Sequence, residues 1–123
     1  MDKPNDVEQV VRACFAAFAA RDRKAMEALL ADDFHFTSPL DNRLDREGFF
    51  KHCWTGGKDI EGFDIEHLVV QGERAFVTYE VRIANKRTRN TEVQTVRAGK
   101  VVDTQVYFGW DVPHPVKEGK HKG

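Results

Sequence analysis

The sequence has little of what marks secreted, membrane-spanning or metal-bound proteins. Among 123 residues there are two cysteines and four prolines, so at most one disulfide can form, and no cysteine pair has the spacing of a zinc site. No apolar run approaches the ~20 residues of a membrane span. The first residues are polar and acidic, unlike a secretory signal. We therefore expect a cytoplasmic protein that has no membrane partner.

The chain also lacks a strong charge of either sign. The 19 Lys and Arg residues nearly balance the 20 Asp and Glu residues, for a net charge of −1. No global field would attract nucleic acid, so we expect no nucleic-acid partner. No carboxylate–histidine cluster has a trustworthy metal-ligand spacing and no glycine-rich phosphate loop is present, so we expect neither a metal nor a cofactor. The length and the 41% hydrophobic content fit one domain with a sizeable core.

Apolar residues recur with helical spacing in the first half of the chain. The stripe of the first predicted helix is formed by Val7, Val10, Val11, Cys14, Phe15 and Phe18. Asp22 and Asp45 are typical N-caps of a second and a third helix. Between these two helices, residues 34–39 are rich in aromatic residues and end at Pro39, which predicts a short strand. The sequence therefore predicts three helices and one strand before residue 60.

The second half alternates between apolar and polar residues, with turn-like separators. This pattern predicts a four-stranded meander at residues 63–70, 75–83, 91–96 and 101–110. Helices followed by strands favour an α+β fold, with the helices on one face of an antiparallel sheet. A curved sheet closed by helices would leave a conical cavity, a typical place for a small-molecule site. Residues 113–123 have little to bury, and we expect them to form a flexible tail.

This order of elements resembles the nuclear transport factor 2-like superfamily, and is nearest to its SnoaL-like and ketosteroid isomerase-like branches. The matching segments are residues 18–34, Ser38-Pro39, residues 45–50 and residues 99–108. The resemblance implies an α+β, cone-shaped barrel over residues 1–112, made of a curved antiparallel sheet with three N-terminal helices. It also implies a homodimer packed through the outer sheet face, where Phe76 and Tyr107 should lie. It does not imply one function, because this fold carries many.

The isomerase branch implies three functional positions that can be compared with this chain. Its base would fall at Ser38, its oxyanion-binding acid at Gln94 and its oxyanion-binding tyrosine at about Cys14. A serine hydroxyl has too high a pKa to remove a carbon-bound proton without an activating base. We therefore expect no steroid-isomerase activity by that mechanism.

Strand alternation predicts which side chains face the cavity. With Ser38 facing inward, the other inward residues with a predicted binding role are Phe36, Tyr79, Gln94, Thr104 and Phe108, with Glu92 beside them. Trp54 would add an apolar wall, and Asp41 would lie in a loop at the rim. As alternatives, Asp41 could form a surface ion pair with Arg43, and a register slip of one residue would turn Glu92 outward.

Two functions stay open on this evidence. In the first, the domain is an isomerase, cyclase or dehydratase acting on a small apolar carbonyl compound. Asp41 or Glu92 would be its base, and Tyr79 and Gln94 would donate hydrogen bonds to an oxygen acceptor. In the second, the domain is a non-catalytic ligand-binding or dimerisation module, which the missing isomerase residues favour.

Overall fold

The chain folds into three helical regions and one sheet. The computed structural model describes residues 3–123, apart from the side chains of Pro4 and Asn5. The helices are α1 (Pro4–Ala19), α2 (Arg23–Leu29) and α3 (Arg46–Gly48), and α3 continues as a π-helical segment (Phe49–Trp54). Asp22 Oδ1 accepts a hydrogen bond from the Ala25 amide at 3.1 Å, and Asp45 Oδ1 accepts one from the Gly48 amide at 2.8 Å. Both predicted N-caps are therefore confirmed.

Six strands form the sheet. They are β1 (Leu30–Ser38), β2 (Asp41–Asp45), β3 (Ile60–Gln71), β4 (Arg74–Ile83), β5 (Lys86–Arg97) and β6 (Lys100–Val112). The spatial order is β2-β1-β6-β5-β4-β3. The predicted meander is confirmed as β3 to β6, with each strand longer than the sequence pattern indicates. Residues 113–123 add no helix or strand, and their flexibility stays a prediction.

The α+β fold with three helices and a curved sheet is confirmed, but two expected details are wrong. The sheet is mixed, because β1 runs parallel to β6 and Phe36 lies opposite Thr104. Its two edges are β2 and β3. Residues 41–45 form an edge strand paired with β1, where a loop was expected. A tight turn causes this, because Ser38 Oγ accepts from the Leu40 amide at 3.0 Å and returns the chain alongside β1.

Bulges curve the sheet around α1. The register shifts in β3 between Ile65 and His67, and between β5 and β6 beside Asn90; such bulges bend a strand and increase its twist. Gly109 lies opposite the second bulge, where an added Cβ would be 2.1 Å from the carbonyl oxygen of Arg89. Only glycine permits this close approach of the two strands.

The core lies between the concave face of the sheet and α1, which packs against β3 to β6. On α1, the buried residues include Val7, Val11, Cys14 and Phe15, as the helical spacing predicts. Among the described residues, no helix is long and apolar enough to span a membrane.

Candidate functional site

A large cavity opens from the concave face of the sheet. Its volume is about 770 Å³, and three apolar residues that line it are also exposed at its mouth: Leu40, Ile83 and Phe108. Seven phenylalanines and one tyrosine contribute to its wall: Phe15, Phe18, Phe34, Phe36, Phe49, Phe63, Tyr79 and Phe108. A predominantly apolar cavity of this size, with few polar groups, is the usual form of a small-molecule site.

A polar cluster lies within this aromatic wall. Glu92 on β5 lies between Val77 of β4 and Val106 of β6, and Gln94 follows two residues later on the same strand face. Tyr79 lies opposite Asn90, which places its ring diagonally across from Glu92, within the reach of a long side chain. The inward register predicted for Tyr79, Glu92 and Gln94 is therefore confirmed.

Glu92 is a nearly buried carboxyl group whose protein partners are neutral. Tyr79 Oη donates to Glu92 Oε1 at 2.9 Å, and Gln94 Nε2 donates to Glu92 Oε2. Burial raises the pKa of Glu92 above its ordinary value, and these two hydrogen bonds offset the rise only in part. Burial of Tyr79 and the charge of Glu92 raise the pKa of the Tyr79 hydroxyl. Cys14, on α1, has its pKa raised to about 12 for the same two reasons.

The expected pair of unpartnered donors is not found. The sequence analysis assigned Tyr79 and Gln94 to hold a ligand oxygen, but both donate to Glu92 instead. The Oε1 atom of Gln94 is buried and has no hydrogen-bond partner. The polar cluster therefore leaves acceptors unpaired rather than donors.

Asp41 lines the cavity on the opposite side, at the start of β2. Its Oδ2 accepts from Ser38 Oγ at 2.7 Å and from the Cys53 thiol at 3.8 Å. Burial, then the charge of Asp41 and this hydrogen bond, raise the pKa of Cys53 to about 12. The alternative ion pair with Arg43 is wrong, since Arg43 reaches His35 Nδ1 at 3.4 Å instead.

Seven of the nine predicted site residues line the cavity: Phe36, Asp41, Tyr79, Glu92, Gln94, Thr104 and Phe108. The other two do not. The Ser38 hydroxyl forms hydrogen bonds within the turn, where it donates to Asp41 and accepts from the Leu40 amide. Trp54 packs behind the wall, where its ring centroid is 5.1 Å from that of Phe18 and 4.3 Å from the Arg21 guanidinium. The roles of the seven stay predictions.

The sequence analysis missed a third carboxylate on the cavity wall. Asp111 lies on β6, is exposed, and accepts from Thr88 Oγ1 at 3.0 Å. It follows the predicted end of the last strand by one residue. Alternation from Thr104 through Phe108 would give Trp110, and the bulge in β6 beside Asn90 shifts the inward position to Asp111. Gly109 is the sequence signal for that bulge. His52 and Cys53 also line the cavity, although neither was among the predicted site residues.

No metal centre is apparent in the part of the chain that the structure describes. Residues 3–123 contain no group of three His, Cys, Asp or Glu side chains placed to hold a metal ion.

Comparison with known proteins shows similarity in sequence to one domain family and in fold to several solved structures. The family model of the SnoaL-like domain matches residues 11–104. No curated protein matches the chain in sequence. Among solved structures, a protein from Kribbella flavida provisionally assigned as a ketosteroid isomerase is 17% identical, with a TM-score of 0.75, over 98% of this chain and 85% of that one.

Two further structures share the fold at similar distance. A protein from Sinorhizobium meliloti provisionally assigned as a polyketide cyclase is 17% identical, with a TM-score of 0.72, over 85% of this chain and 99% of that one. A protein from Burkholderia xenovorans, described as NTF-2 like and of unknown function, is 19% identical, with a TM-score of 0.77, over 97% of each chain. At these identities the likeness establishes the fold alone.

Proposed function

The chain belongs to the SnoaL-like domain family, and from that premise we propose that it binds a small, mainly apolar molecule and transfers a proton at Glu92. The observation that carries the proposal is a nearly buried carboxyl group in the wall of a 770 Å³ aromatic cavity. Burial brings the pKa of Glu92 closer to neutrality, where a carboxyl group serves best as a general acid or base. The reaction classes that fit are isomerisation, cyclisation and dehydration without a cofactor.

Asp41 is the second candidate for proton transfer. It lies at the other side of the cavity, and its contacts with Ser38 and Cys53 hold its carboxylate in place. A substrate between the two carboxyl groups would meet one near the mouth and one deep in the wall. The sequence predicted a ligand with a carbonyl group because Tyr79 and Gln94 were expected to be free to donate hydrogen bonds to it. Both donate to Glu92 instead, so we propose an apolar ligand and a proton transfer but no carbonyl group.

Deuterium exchange tests the proposal without knowledge of the product. Native mass spectrometry of the purified protein would identify bound compounds, and these would then be incubated with the protein in deuterium oxide. We expect deuterium to enter a carbon position with wild type and with Glu80→Gln, a matched substitution on the outer face, but not with Glu92→Gln. Equal exchange with Glu92→Gln would contradict the role of Glu92.

A second function is supported by the same hydrogen bonds. Both oxygens of Glu92 already accept from the protein, one from Tyr79 and one from Gln94, as in a site that binds without reacting. In that case the compounds identified by mass spectrometry would bind but exchange no deuterium with any variant. This result would assign the domain as a non-catalytic binding module.

We also propose that the chain forms a homodimer in the cytoplasm. The outer sheet face exposes Val69, Phe76 and Tyr107, at 60%, 37% and 55% of their surface. Their neighbours on this face include Thr78, Thr91 and Gln105, and Glu80 pairs with Arg89, so two copies of this face would not repel each other. Both cysteines are free, which fits a reducing compartment. Light scattering should give twice the chain mass, and Phe76→Lys with Tyr107→Lys should give the monomer; a wild-type monomer at tens of micromolar would contradict the dimer.

A further inference from the structure

The charges around the cavity are of one sign. Asp41, Glu92 and Asp111 all line it, and no lysine or arginine is among the lining residues that the structure describes. One histidine, His52, is also among the described lining residues, and it is exposed. The chain as a whole is nearly neutral, with 19 basic and 20 acidic residues, so this imbalance belongs to the cavity.

The three cavity carboxylates also lack cationic partners. In the described residues, Glu92 accepts from a phenol and an amide, Asp41 from a hydroxyl and a thiol, and Asp111 from a hydroxyl. By contrast, Glu8, Glu27, Asp64, Glu66, Glu73 and Glu80, outside the cavity, each pair with an arginine. These six carboxylates outside the cavity are therefore neutralised by arginines, whereas no described arginine lines the cavity.

An unpaired acceptor lies beside the most buried of these carboxylates. Gln94 is 3% exposed and lines the cavity, its Nε2 is used on Glu92, and its Oε1 has no partner. A carboxylate offers about four acceptor positions, of which Tyr79 and Gln94 use two on Glu92. This part of the cavity therefore offers free acceptor positions, and no described lysine or arginine lines it.

Aromatic rings surround the same place. The ring of Tyr79, which binds Glu92, lies with its centroid 4.9 Å from that of Phe15 and 5.7 Å from that of Phe63. Aromatic faces attract organic cations, most strongly where water is excluded. A carboxylate among such rings, without a resident cation, suits an alkylammonium group better than a neutral or anionic one.

We propose that the ligand of this cavity is a cation: an apolar molecule that carries an ammonium group, which binds at Glu92 among Tyr79, Phe15 and Phe63. The proposal rests on the proposed function in that it places the ligand in the same cavity. It replaces the small apolar carbonyl compound expected from the sequence, because that expectation took Tyr79 and Gln94 as free donors.

Three benzyl compounds of different charge test the proposal on the wild-type protein. Benzyltrimethylammonium carries a fixed positive charge, neopentylbenzene is its neutral isostere, and phenylacetate carries a negative charge. Binding would be measured by ligand-observed NMR at pH 8. We expect the cation to bind at least tenfold tighter than the neutral probe, and the anion to bind weakest. A neutral probe that binds as tightly as the cation, or an anion that binds tighter, would overturn the proposal.

A pair of matched variants locates the effect. Glu92→Gln should weaken the cation at least tenfold and change the neutral probe less than threefold, whereas Glu80→Gln should change neither. Equal weakening of both probes by Glu92→Gln would mean a packing effect and would overturn the proposal. If Glu92→Gln does not fold, Asp41→Asn takes its place. We then expect the cation, but not the neutral probe, to bind at least threefold more weakly. An unchanged cation affinity in Asp41→Asn would count against the proposal.

The pH dependence gives an independent readout. The titratable groups that face Glu92 are Tyr79 from β4 and Cys14 from α1, with Asp41, Asp111 and His52 farther along the wall. The fixed cation should bind more tightly as the pH rises from 5 to 8 and Glu92 ionises, and Glu92→Gln should lose most of this dependence. A cation affinity that does not change with pH would contradict the proposal. If neither the cation nor the neutral probe binds, the proposed function itself fails, whereas binding without preference for the cation overturns only the charge inference.

Discussion

The sheet holds one nearly buried glutamate on each face, and the two carboxyl groups have opposite environments. Glu80 on the outer face and Glu92 on the inner face are 9% and 8% exposed, so burial alone does not distinguish them. Arg89 Nη2 lies 2.9 Å from Glu80, and Arg87 Nη1 lies 3.4 Å away. Glu92 accepts hydrogen bonds from Tyr79 and Gln94, and it forms no ion pair with any residue that the structure describes.

The pKa values follow these partners. The hydrogen bond from Arg89 holds the pKa of Glu80 below its ordinary value, with the charges of Arg89 and Arg87 adding to the effect. Burial raises the pKa of Glu92. A carboxylate that the fold pairs with cations has a structural role, whereas one left without a cation is available to whatever enters the cavity.

The largest expected difference between the faces is in packing. Phe34 is 1% exposed and packs on Phe49 with the ring centroids 5.4 Å apart, so Phe34→Ala should lower the free energy of unfolding by about 3–5 kcal/mol. Tyr107→Ala on the outer face, where the side chain is 55% exposed, should lower it by less than about 1 kcal/mol in the monomer. Urea unfolding of dilute protein would measure both, and similar losses would contradict the assignment of the core to the inner face.

Glu92→Gln should stabilise the fold at neutral pH. Because the folded chain binds the Glu92 proton more tightly than the unfolded chain, stability is lost as the pH rises from the ordinary carboxyl pKa of 4.5 to the folded one. We therefore expect Glu92→Gln to be more stable than wild type at pH 8, where the folded wild type must bury the charged carboxylate. The gain should shrink towards pH 4. A loss of stability at pH 8 would show that the charged carboxylate is favourable in the empty cavity.

Glu80→Gln should act in the opposite direction. The pKa of Glu80 is lowered, so its charge stabilises the fold above the ordinary pKa of 4.5 and this stabilisation is lost as the pH falls through the folded pKa. The variant should be less stable than wild type at pH 8 and approach it in acid. Thermal unfolding of the two glutamate variants across the same pH series would compare them, and parallel curves would contradict the comparison.

A smaller effect is expected at the second inner carboxylate. The charge of Asp41 contributes to the raised pKa of Cys53, about 12, and thiolate reactivity follows pKa. In a Cys14→Ser background, Asp41→Asn should speed alkylation of Cys53 several-fold at pH 8. Asp45→Asn, at the cap of α3, is the control and should leave the rate unchanged. No change with Asp41→Asn would mean that access, and not charge, limits the reaction.

Much of the fold could be predicted from the sequence because the signals were local. The caps at Asp22 and Asp45 and the alternation through Tyr79, Glu92 and Gln94 depend on neighbouring residues. The parallel pairing of β1 with β6 could not be predicted from the sequence. It joins residues about seventy positions apart along the chain, such as Phe36 and Thr104. The strand at residues 41–45 depends on a side-chain turn at Ser38, which composition does not reveal.

The site was predicted less completely, and for a related reason. Alternation gives the face on which a side chain lies, so Tyr79, Glu92 and Gln94 were placed correctly. It does not give the partner of each polar atom, and that depends on the diagonal contact between Tyr79 and Glu92. Because of this contact, the cavity has free acceptors at the place where the sequence predicted free donors.

The most direct test is the titration of the two glutamates in one sample. The side-chain carboxyl carbons of Glu80 and Glu92 would be followed by NMR in protein labelled at glutamate, with Glu80→Gln and Glu92→Gln to assign the signals. The inner Glu92 should titrate above the ordinary value of 4.5 and the outer Glu80 below it. If Glu92 titrates at or below 4.5, its carboxyl group is neither poised for proton transfer nor distinct from its counterpart on the outer face.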